Sequence, residues 1–369
     1  MADDLRKLAA QVREVVGDRA AEWDLTGKLP GEVLRGLASG GLLCPQVPSR
    51  YGGPGLGSRD GGELTAHVGS LCSSLRSVMT SQQMVAGSIE RLGDEDQRDR
   101  YLPRLTGGEI AAAAFSEPGA GSDLSAMATT IRSEGDTVVV DGRKSWITTS
   151  AYADLLLVFG RFGDAAAAVV VPADTPGVTV ERIPEPLGCR AAGHADITFD
   201  GVRVPADAVL GGTGLPLPFL VTAALAHGRM SVAWGCVGIL RACLSEATRH
   251  ARTREQFGVP LSRHQLVARH LAEIYTAEQI AARACEHASA CWETGSPDMV
   301  TATVLAKHVS ATHAVSGASA ALQVLASTGA HDGHTVARAH RDARMMEIIE
   351  GSSEMCTLLL ADHVLATVD

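Results

Sequence analysis

The 369 residues carry a formal net charge of −10, 46% hydrophobic and only 4% aromatic side chains. That length allows two or three domains, or one multilayered unit, around a sizeable core, and the acidic balance excludes general nucleic-acid binding and adhesion to acidic membranes. No apolar run is long enough to span a bilayer, and Met1-Ala2-Asp3-Asp4 puts acids where a secretory signal carries bases, so a cytoplasmic protein is expected. Eight cysteines without a CxxC or a regular spacing argue for reduced, mostly buried thiols and against a zinc site or a disulfide scaffold.

In chain order, residues 1 to about 110 read as helical. Leu5, Leu8, Val12, Val15 and Val16 recur at intervals of three and four, an amphipathic face. Pro30 sits just inside a second helix start, Val33, Leu34 and Leu37 form its stripe, and Gly40-Gly41 stops it. Tyr51-Gly52-Gly53-Pro54-Gly55 is a loop by composition, and helical patterns resume over 64–89 and 94–105. The period then changes. Val138-Val139-Val140, Asp141-Gly142 and Lys144–Thr148 predict a hairpin with a tight primed turn. Short β-rich runs follow at 155–159, 168–171, 178–183 and 197–199, and a second Asp-Gly, Asp200-Gly201, precedes Val202 and Val204. From about Leu217 the helical period returns, with long helices expected over 219–253, 265–293, 297–326 and about 352–366, a set able to pack as a bundle. The expected fold class is mainly α with a β insert: an N-terminal helical domain (1–112), a central small β-barrel-like domain (113–214) and a C-terminal four-helix bundle (215–369).

Chemistry concentrates where the pattern changes. Phe115-Ser116-Glu117-Pro118-Gly119-Ala120-Gly121-Ser122-Asp123 follows an apolar run from Ile110. Pro118 fixes φ, and two glycines permit close backbone approach, so the loop can aim N–H groups and a hydroxyl at a phosphate. By itself the stretch also fits a plain surface turn, which is the commoner case. Ile348-Ile349-Glu350-Gly351-Ser352-Ser353-Glu354 puts a carboxylate beside apolar groups near a helix start. Such a carboxylate has a raised pKa and suits a base for a weakly acidic C–H, although the local sequence favours a capping arrangement. His331, Asp332 and His334 lack a helical i, i+4 pair, so no metal site is expected there.

The Glu-Pro-Gly-Ala-Gly-Ser-Asp stretch and Trp146-Ile147-Thr148, about twenty-five residues apart, resemble the flavin-binding segments of the acyl-CoA dehydrogenase family, and the resemblance continues to the C-terminus. It implies that fold, with FAD between the β domain and the bundle. Arg341-Asp342, seven residues, then Glu350-Gly351-Ser352 is similar to the family's catalytic-base segment. On that motif Glu350 removes the proton α to a thioester and the β-hydride passes to flavin N5, with the thioester carbonyl polarised by a backbone N–H near Glu350 and by the flavin ribityl hydroxyl, and Gly351 on the substrate side. Ser116 and Thr148 fall on ring hydrogen-bonding positions, Trp146 on a ring-packing position, Ser122 on the pyrophosphate side, and Phe115, Gly121 and Ile147 on other cofactor-binding positions of these segments. Trp146 read alone is an ordinary core tryptophan. Ser352 and Glu354 fall on the cofactor side beyond the base.

Arg254-Glu255-Gln256-Phe257-Gly258 with Gln265, and Gln323 with Ser327, resemble the segments that reach the FAD adenine end of a neighbouring subunit, which implies a homodimer or homotetramer. Read alone, Arg254 is a solvated charge at a helix end. Ala326-Ser327 stands where the family usually has Gly-Gly. Arg229 lies on the substrate-side arginine. Ala226 replaces an acid common three residues earlier, and Ile349 an aromatic residue common before the base. These departures point away from ordinary fatty acyl-CoA and toward the biosynthetic branch that oxidises short acyl groups on acyl carrier protein for polyketide extender units. The partners implied are an acyl thioester on carrier protein or CoA and an electron-transfer flavoprotein or another acceptor, with no nucleic acid and no membrane. A conventional short-chain acyl-CoA dehydrogenase, a flavin oxidase or monooxygenase, and a flavin-containing DNA-binding relative are the alternatives; the last needs a basic surface that an acidic chain does not suggest.

Overall fold

The computed structural model describes residues 3–367; Met1, Ala2, Val368 and Asp369 lie outside it. Helix α1 (Asp3–Val16) buries Leu5, Val12 and Val16, the stripe its spacing predicts. A short α2 (Ala20–Thr26), not expected, forms because Trp23 has a pocket to fill and Gly27 closes the helix at φ 66°. Helix α3 (Gly31–Ser39) starts directly after Pro30, which is its N-cap rather than its first residue. The expected run over 64–89 is two helices, α4 (Ser58–Leu71) and α5 (Ser73–Leu92), broken at Cys72. Cys72 is extended at φ −157°, and its Sγ accepts from the Leu75 N–H at 3.5 Å, capping α5. No Gly or Pro marks this break in the sequence. Helix α6 (Glu95–Thr106) opens with a capping box of Asp94 and Gln97.

The central sheet has seven strands. In chain order they are β1 (Ala111–Ala114), β2 (Thr130–Glu134), β3 (Thr137–Ile147), β4 (Leu155–Phe162), β5 (Ala165–Pro172), β6 (Val178–Arg182) and β7 (Ala195–Pro205). They lie in the spatial order β1-β4-β2-β3-β7-β6, with β5 on the other side of β4. The hairpin expected at Asp141-Gly142 is not there: β3 runs straight through those residues. Asp141 and Gly142 instead form a bulge opposite Asp200-Gly201 on β7, where the Gly201 N–H donates to Asp141 Oδ1 at 2.7 Å. The tight turn lies earlier, at Gly135-Asp136 between β2 and β3, with Gly135 at φ 63°. An Asp-Gly pair suits either role, and only the partner strand decides between them.

Four long helices follow: α7 (Leu217–Thr253), α8 (Gln265–Thr294), α9 (Met299–Leu325) and, after the unexpected α10 (Thr335–Met346), α11 (Ser353–Thr367). Sequence reading overlooked α10 because it is short and strongly charged; His334 caps it by accepting from the Val336 N–H at 3.1 Å. Helices α7 and α8 run antiparallel, with Trp234 donating to Ser289 at 3.2 Å and Arg241 to Glu278 at 2.9 Å. The Arg241 guanidinium also holds Glu63 of α4 at 2.6 Å, tying the N-terminal helices to the bundle. All eight cysteines are free and buried, and among the described residues no helix is long and apolar enough to cross a membrane.

Small residues set the spacing of α4 against α7. A Cβ at Gly238 would run into the Ala66 carbonyl oxygen, and one at Gly69 would lie 2.9 Å from the Gly235 oxygen. Those obstacles are backbone and cannot turn aside. Gly238→Ala is therefore expected to force the two helices apart and to lower unfolding free energy by about 1–3 kcal/mol, read by chemical denaturation.

Candidate active site

The loop after β1 is pinned to β3 by a buried ion pair. Lys144, fully buried, donates to the Phe115 carbonyl at 3.0 Å and to Glu117 Oε1 at 2.8 Å. Glu117 also accepts from the Ala128 and Thr129 N–H groups, at 2.6 and 3.0 Å. Burial pulls the Lys144 ammonium down to about 8 despite Glu117. Burial pushes the Glu117 carboxyl up, but the hydrogen bonds from Lys144, Thr129 and Ala128 outweigh it and hold the group below its ordinary value. A further bond from the Ser145 N–H to the Ser116 carbonyl, 2.9 Å, brings the two flavin-like segments side by side.

Next to this seam the chain turns Trp146 outward. The register of β3 on β7 slips between Lys144 and Ile147, and Trp146 takes φ 58°. Asp196 of β7 holds the bulge: its Oδ1 accepts from Ser145 Oγ at 2.7 Å and from the Trp146 N–H at 3.1 Å. The indole is left 51% exposed, unlike a core tryptophan. Thr148 lies half-buried beside it, with Oγ1 3.2 Å from His194 Nδ1. Burial pulls His194 down to about 4, so the ring is neutral. Phe115 is buried and stacked on Phe159 at 3.9 Å, and Ile147 is buried in the sheet core. Gly121 and Ser122 are exposed, and a Cβ at Gly119 or Gly121 would meet nothing within 4 Å. An exposed indole, half-buried Ser116 and Thr148 hydroxyls and an open glycine loop make a surface that fits a flat heteroaromatic ring with a phosphate tail.

Glu350 sits in a strained turn. It takes φ 56° and Gly351 φ 93°, a left-handed pair in which Glu350 is the uncommon member. Cations hold both carbonyls: Arg229 Nε donates to the Glu350 oxygen at 3.0 Å, and Lys307 Nζ to the Gly351 oxygen at 2.6 Å. The carboxylate folds onto Gly228 of α7, where any Cβ would overlap Oε2 and would lie 2.8 Å from the Met84 sulfur. Oε2 is buried and has no hydrogen-bond partner among the described residues. Burial pushes the carboxyl above its ordinary range, and Arg229, Lys307 and Arg76 pull it back without cancelling the rise. Ser352 and Glu354 follow: Ser352 Oγ accepts from the Met355 N–H at 3.4 Å, and Glu354 is exposed in the first turn of α11.

Helix α5 brings these two halves together. Ser81 Oγ donates to the Thr148 carbonyl at 3.3 Å, while Met84, three residues on, lies against the Gly228 position that Glu350 covers. Residues i and i+3 of a helix are neighbours, with Cβ atoms about 5–6 Å apart. One turn of α5 thus touches the Thr148 backbone through Ser81 and reaches the Gly228 position through Met84.

The adenine-side residues lie elsewhere. Arg254 is about 37 Å along α7 from Arg229 at 1.5 Å per residue. Arg229 and Lys307 share the 350–351 turn, and Gly317 faces Leu240, so α7 and α9 run parallel. Their C-terminal ends thus coincide, which puts Arg254, Phe257 and Gln265 at the same end of the bundle as Gln323 and Ser327. All five are exposed, Phe257 to 95%. At this end too, His331 and His334 meet edge to face at 5.6 Å, and Asp332 pairs with Arg190 at 3.4 Å.

Sequence reading did not single out Lys144, His194, Asp196, Arg76 or Lys307. A lysine inside a β run was the one visible signal; the other four matter through partners distant in the chain. Ala226 is buried on α7 and Ile349 is half-buried against the bundle core.

Comparison with known proteins agrees with this architecture. Residues 2–109, 112–202 and 219–365 match the N-terminal, middle and C-terminal domain models of acyl-CoA dehydrogenases. The human mitochondrial short-chain specific acyl-CoA dehydrogenase is 31% identical over 94% of this chain and 85% of its own length. A solved structure described as FkbI, for biosynthesis of the methoxymalonyl extender unit of the FK520 polyketide immunosuppressant, is 63% identical, with a TM-score of 0.93 over 97% of this chain and 99% of that one. A glutaryl-CoA dehydrogenase from Mycobacterium smegmatis, solved in complex with FADH2, is 26% identical with a TM-score of 0.91, over 100% of this chain and 96% of that one. The three domain matches in order, on a helical–sheet–helical fold, make this chain a member of the acyl-CoA dehydrogenase family of flavoprotein oxidoreductases.

Proposed function

We propose that the protein is an FAD-dependent dehydrogenase of a short acyl thioester, with Glu350 as the base that removes the α-proton. The observation that carries this reading is the unpartnered, buried Oε2 of Glu350 on Gly228. A carboxylate held without a hydrogen bond and with a raised pKa is a stronger base than an exposed one, and it is reserved for something that enters beside it. Arg229 and Lys307 hold the turn by its carbonyls rather than by the carboxylate, so they orient the base without neutralising it. The Gly351 N–H would polarise the thioester carbonyl and make the α-proton acidic enough to remove.

Ser116, Thr148, Trp146, Phe115 and Ile147 would hold the isoalloxazine ring of FAD, and Gly121 and Ser122 the pyrophosphate. Bound FAD supplies the acceptor for the β-hydride. The exposed cluster Arg254, Phe257, Gln265, Gln323 and Ser327 lies too far along the bundle to serve the same cofactor, and would reach the adenine end of one held by a second copy. Exposed apolar side chains at Leu266, Tyr275 and Ile280 of α8 and Leu358 and Leu365 of α11 favour a homodimer or homotetramer.

The substrate would be a short acyl group on acyl carrier protein, formed on the way to a polyketide extender unit, and an electron-transfer flavoprotein or a comparable acceptor would reoxidise the flavin. The 63% identity to FkbI and the loss of the usual groups at Ala226 and Ile349 support this. The similarity to the human short-chain enzyme supports a short acyl group, and conventional CoA chemistry is the outcome that would replace the carrier-protein reading.

Presenting one short acyl group on CoA and on carrier protein should bleach the flavin markedly faster on the carrier; faster bleaching with CoA overturns that assignment. Glu350→Gln should leave the protein yellow yet unable to bleach with substrate, and undiminished bleaching removes Glu350 from the role. The same variant has a stability signature. A carboxyl whose folded pKa is raised favours the protonated native state, so its stability contribution is present below the unfolded pKa and is lost as pH rises through the folded one. Glu350→Gln should therefore melt above the wild type at pH 8 and converge with it near pH 4. Phe257→Asp should weaken both FAD retention and self-association, measured by flavin release and sedimentation.

A further inference from the structure

Two residues at the entry to β7 hold the Trp146 bulge from opposite ends. Asp196 accepts from Ser145 Oγ at 2.7 Å and from the Trp146 N–H at 3.1 Å. His194, two positions earlier, has Nδ1 3.2 Å from Thr148 Oγ1. That hydroxyl makes no other hydrogen bond among the described residues. Between the two contacts stands the exposed Trp146 indole, with its ring 6.0 Å from the imidazole and tilted by 50°.

The backbone that carries the imidazole is fixed on both sides. The Thr149 N–H donates to the Ala192 carbonyl at 3.0 Å, the Ala151 N–H to Gly193 at 3.1 Å and the Ile183 N–H to His194 at 2.9 Å. Gly193 takes φ 71°, and a Cβ there would run into the Tyr152 ring. His194 itself is 7% exposed, and its second nitrogen, Nε2, is buried without a hydrogen-bond partner among the described residues. The Cys189 carbonyl favours a proton on the ring but does not bond Nε2, and burial keeps the ring neutral. A half-satisfied histidine in an interior costs stability that an apolar side chain would not. What that cost leaves in place is one contact, Nδ1 against the Thr148 hydroxyl.

A free hydroxyl turns about its C–O bond and must be ordered each time it meets a ligand. A hydroxyl already bonded to a fixed imidazole keeps its remaining hydrogen-bonding capacity aimed one way, so binding requires less ordering. A neutral imidazole does this without adding a charge beside the ligand.

We propose that His194 is a positioning residue for the flavin ring: it acts through the Thr148 hydroxyl and, with Asp196, presets segment 145–148 before FAD binds. The inference rests on the assignment of Thr148 to the isoalloxazine ring and adds the group that orients it.

FAD dissociation constants and visible flavin spectra of the full-length protein test it without turnover. His194→Leu should weaken FAD binding by roughly threefold to tenfold and should change the visible band in the way Thr148→Val does. Combining the two substitutions should add little to either alone, because one acts through the other. His194→Asn, whose amide lies near the place of Nδ1, should restore the wild-type band and affinity, whereas His194→Gln, which reaches toward the place of Nε2, should not. If His194→Leu does not fold, the Asn and Gln variants carry the test. A wild-type band and affinity in His194→Leu, additive losses in the double variant, or Asn no better than Gln overturns the inference. Thr148→Val with a wild-type band and affinity would instead remove Thr148 from the ring, and His194 with it; a change in Thr148→Val that His194→Leu does not share removes His194 alone.

Discussion

A carboxylate pressed onto a glycine organises this molecule. Glu350 can bury Oε2 because Gly228 has no side chain and because the turn that carries it is forced into left-handed backbone geometry. That geometry is unfavourable for a glutamate and persists only if its surroundings over-determine it. Arg229 from α7 and Lys307 from α9 do so, each taking one carbonyl of the turn. The arrangement spends stability on keeping one oxygen unpaired, the pattern expected where a reactive group must stay available.

The sheet side answers the same constraint by different means. Ser145 and Trp146 lie on a bulge, where Asp196 satisfies the backbone that the bulge frees and Trp146 swings out. The Lys144–Glu117 pair prevents the adjoining loop from drifting off β3. A buried ion pair is weak evidence for net stability, but removing one partner would strand the other, so the loop and strand act as one piece. Helix α5 then sets the separation of the two sides, touching Thr148 through Ser81 and the Glu350 site through Met84. A central helix between sheet and bundle is how three layers can meet at one cleft.

Polar groups buried around that cleft are of two kinds. Arg76 Nη1, Thr80 and Ser231 hydrogen-bond in a chain, whereas Glu350 Oε2 and Arg76 Nε have no partner among the described residues. The first kind fixes helix against helix; the second waits for a ligand. The far end of the bundle is different again, with Phe257 and Leu266 extended into solvent in a way a single chain does not explain.

Much of this was legible in the residues themselves. The change of period near residue 113 and its return near 217 follow from local chemistry, because hydrophobic spacing and turn residues act within a few positions; the Gly-rich loop and Trp146-Ile147-Thr148 stood out only through their resemblance to the family's segments. Glu350 stood out locally only as a carboxylate beside isoleucines, for which a cap is the better local reading. What tertiary structure decided was every feature that depends on a distant partner. Asp141-Gly142 became a bulge because Asp200-Gly201 lies opposite. Cys72 became a break because α5 needed a cap there, and α10 became a helix on the strength of packing against the bundle. Lys144 gained its meaning from a glutamate 27 residues away. Sequence spacing specifies which face of an element is apolar; which buried polar group is left without a partner is known only once all the elements have packed.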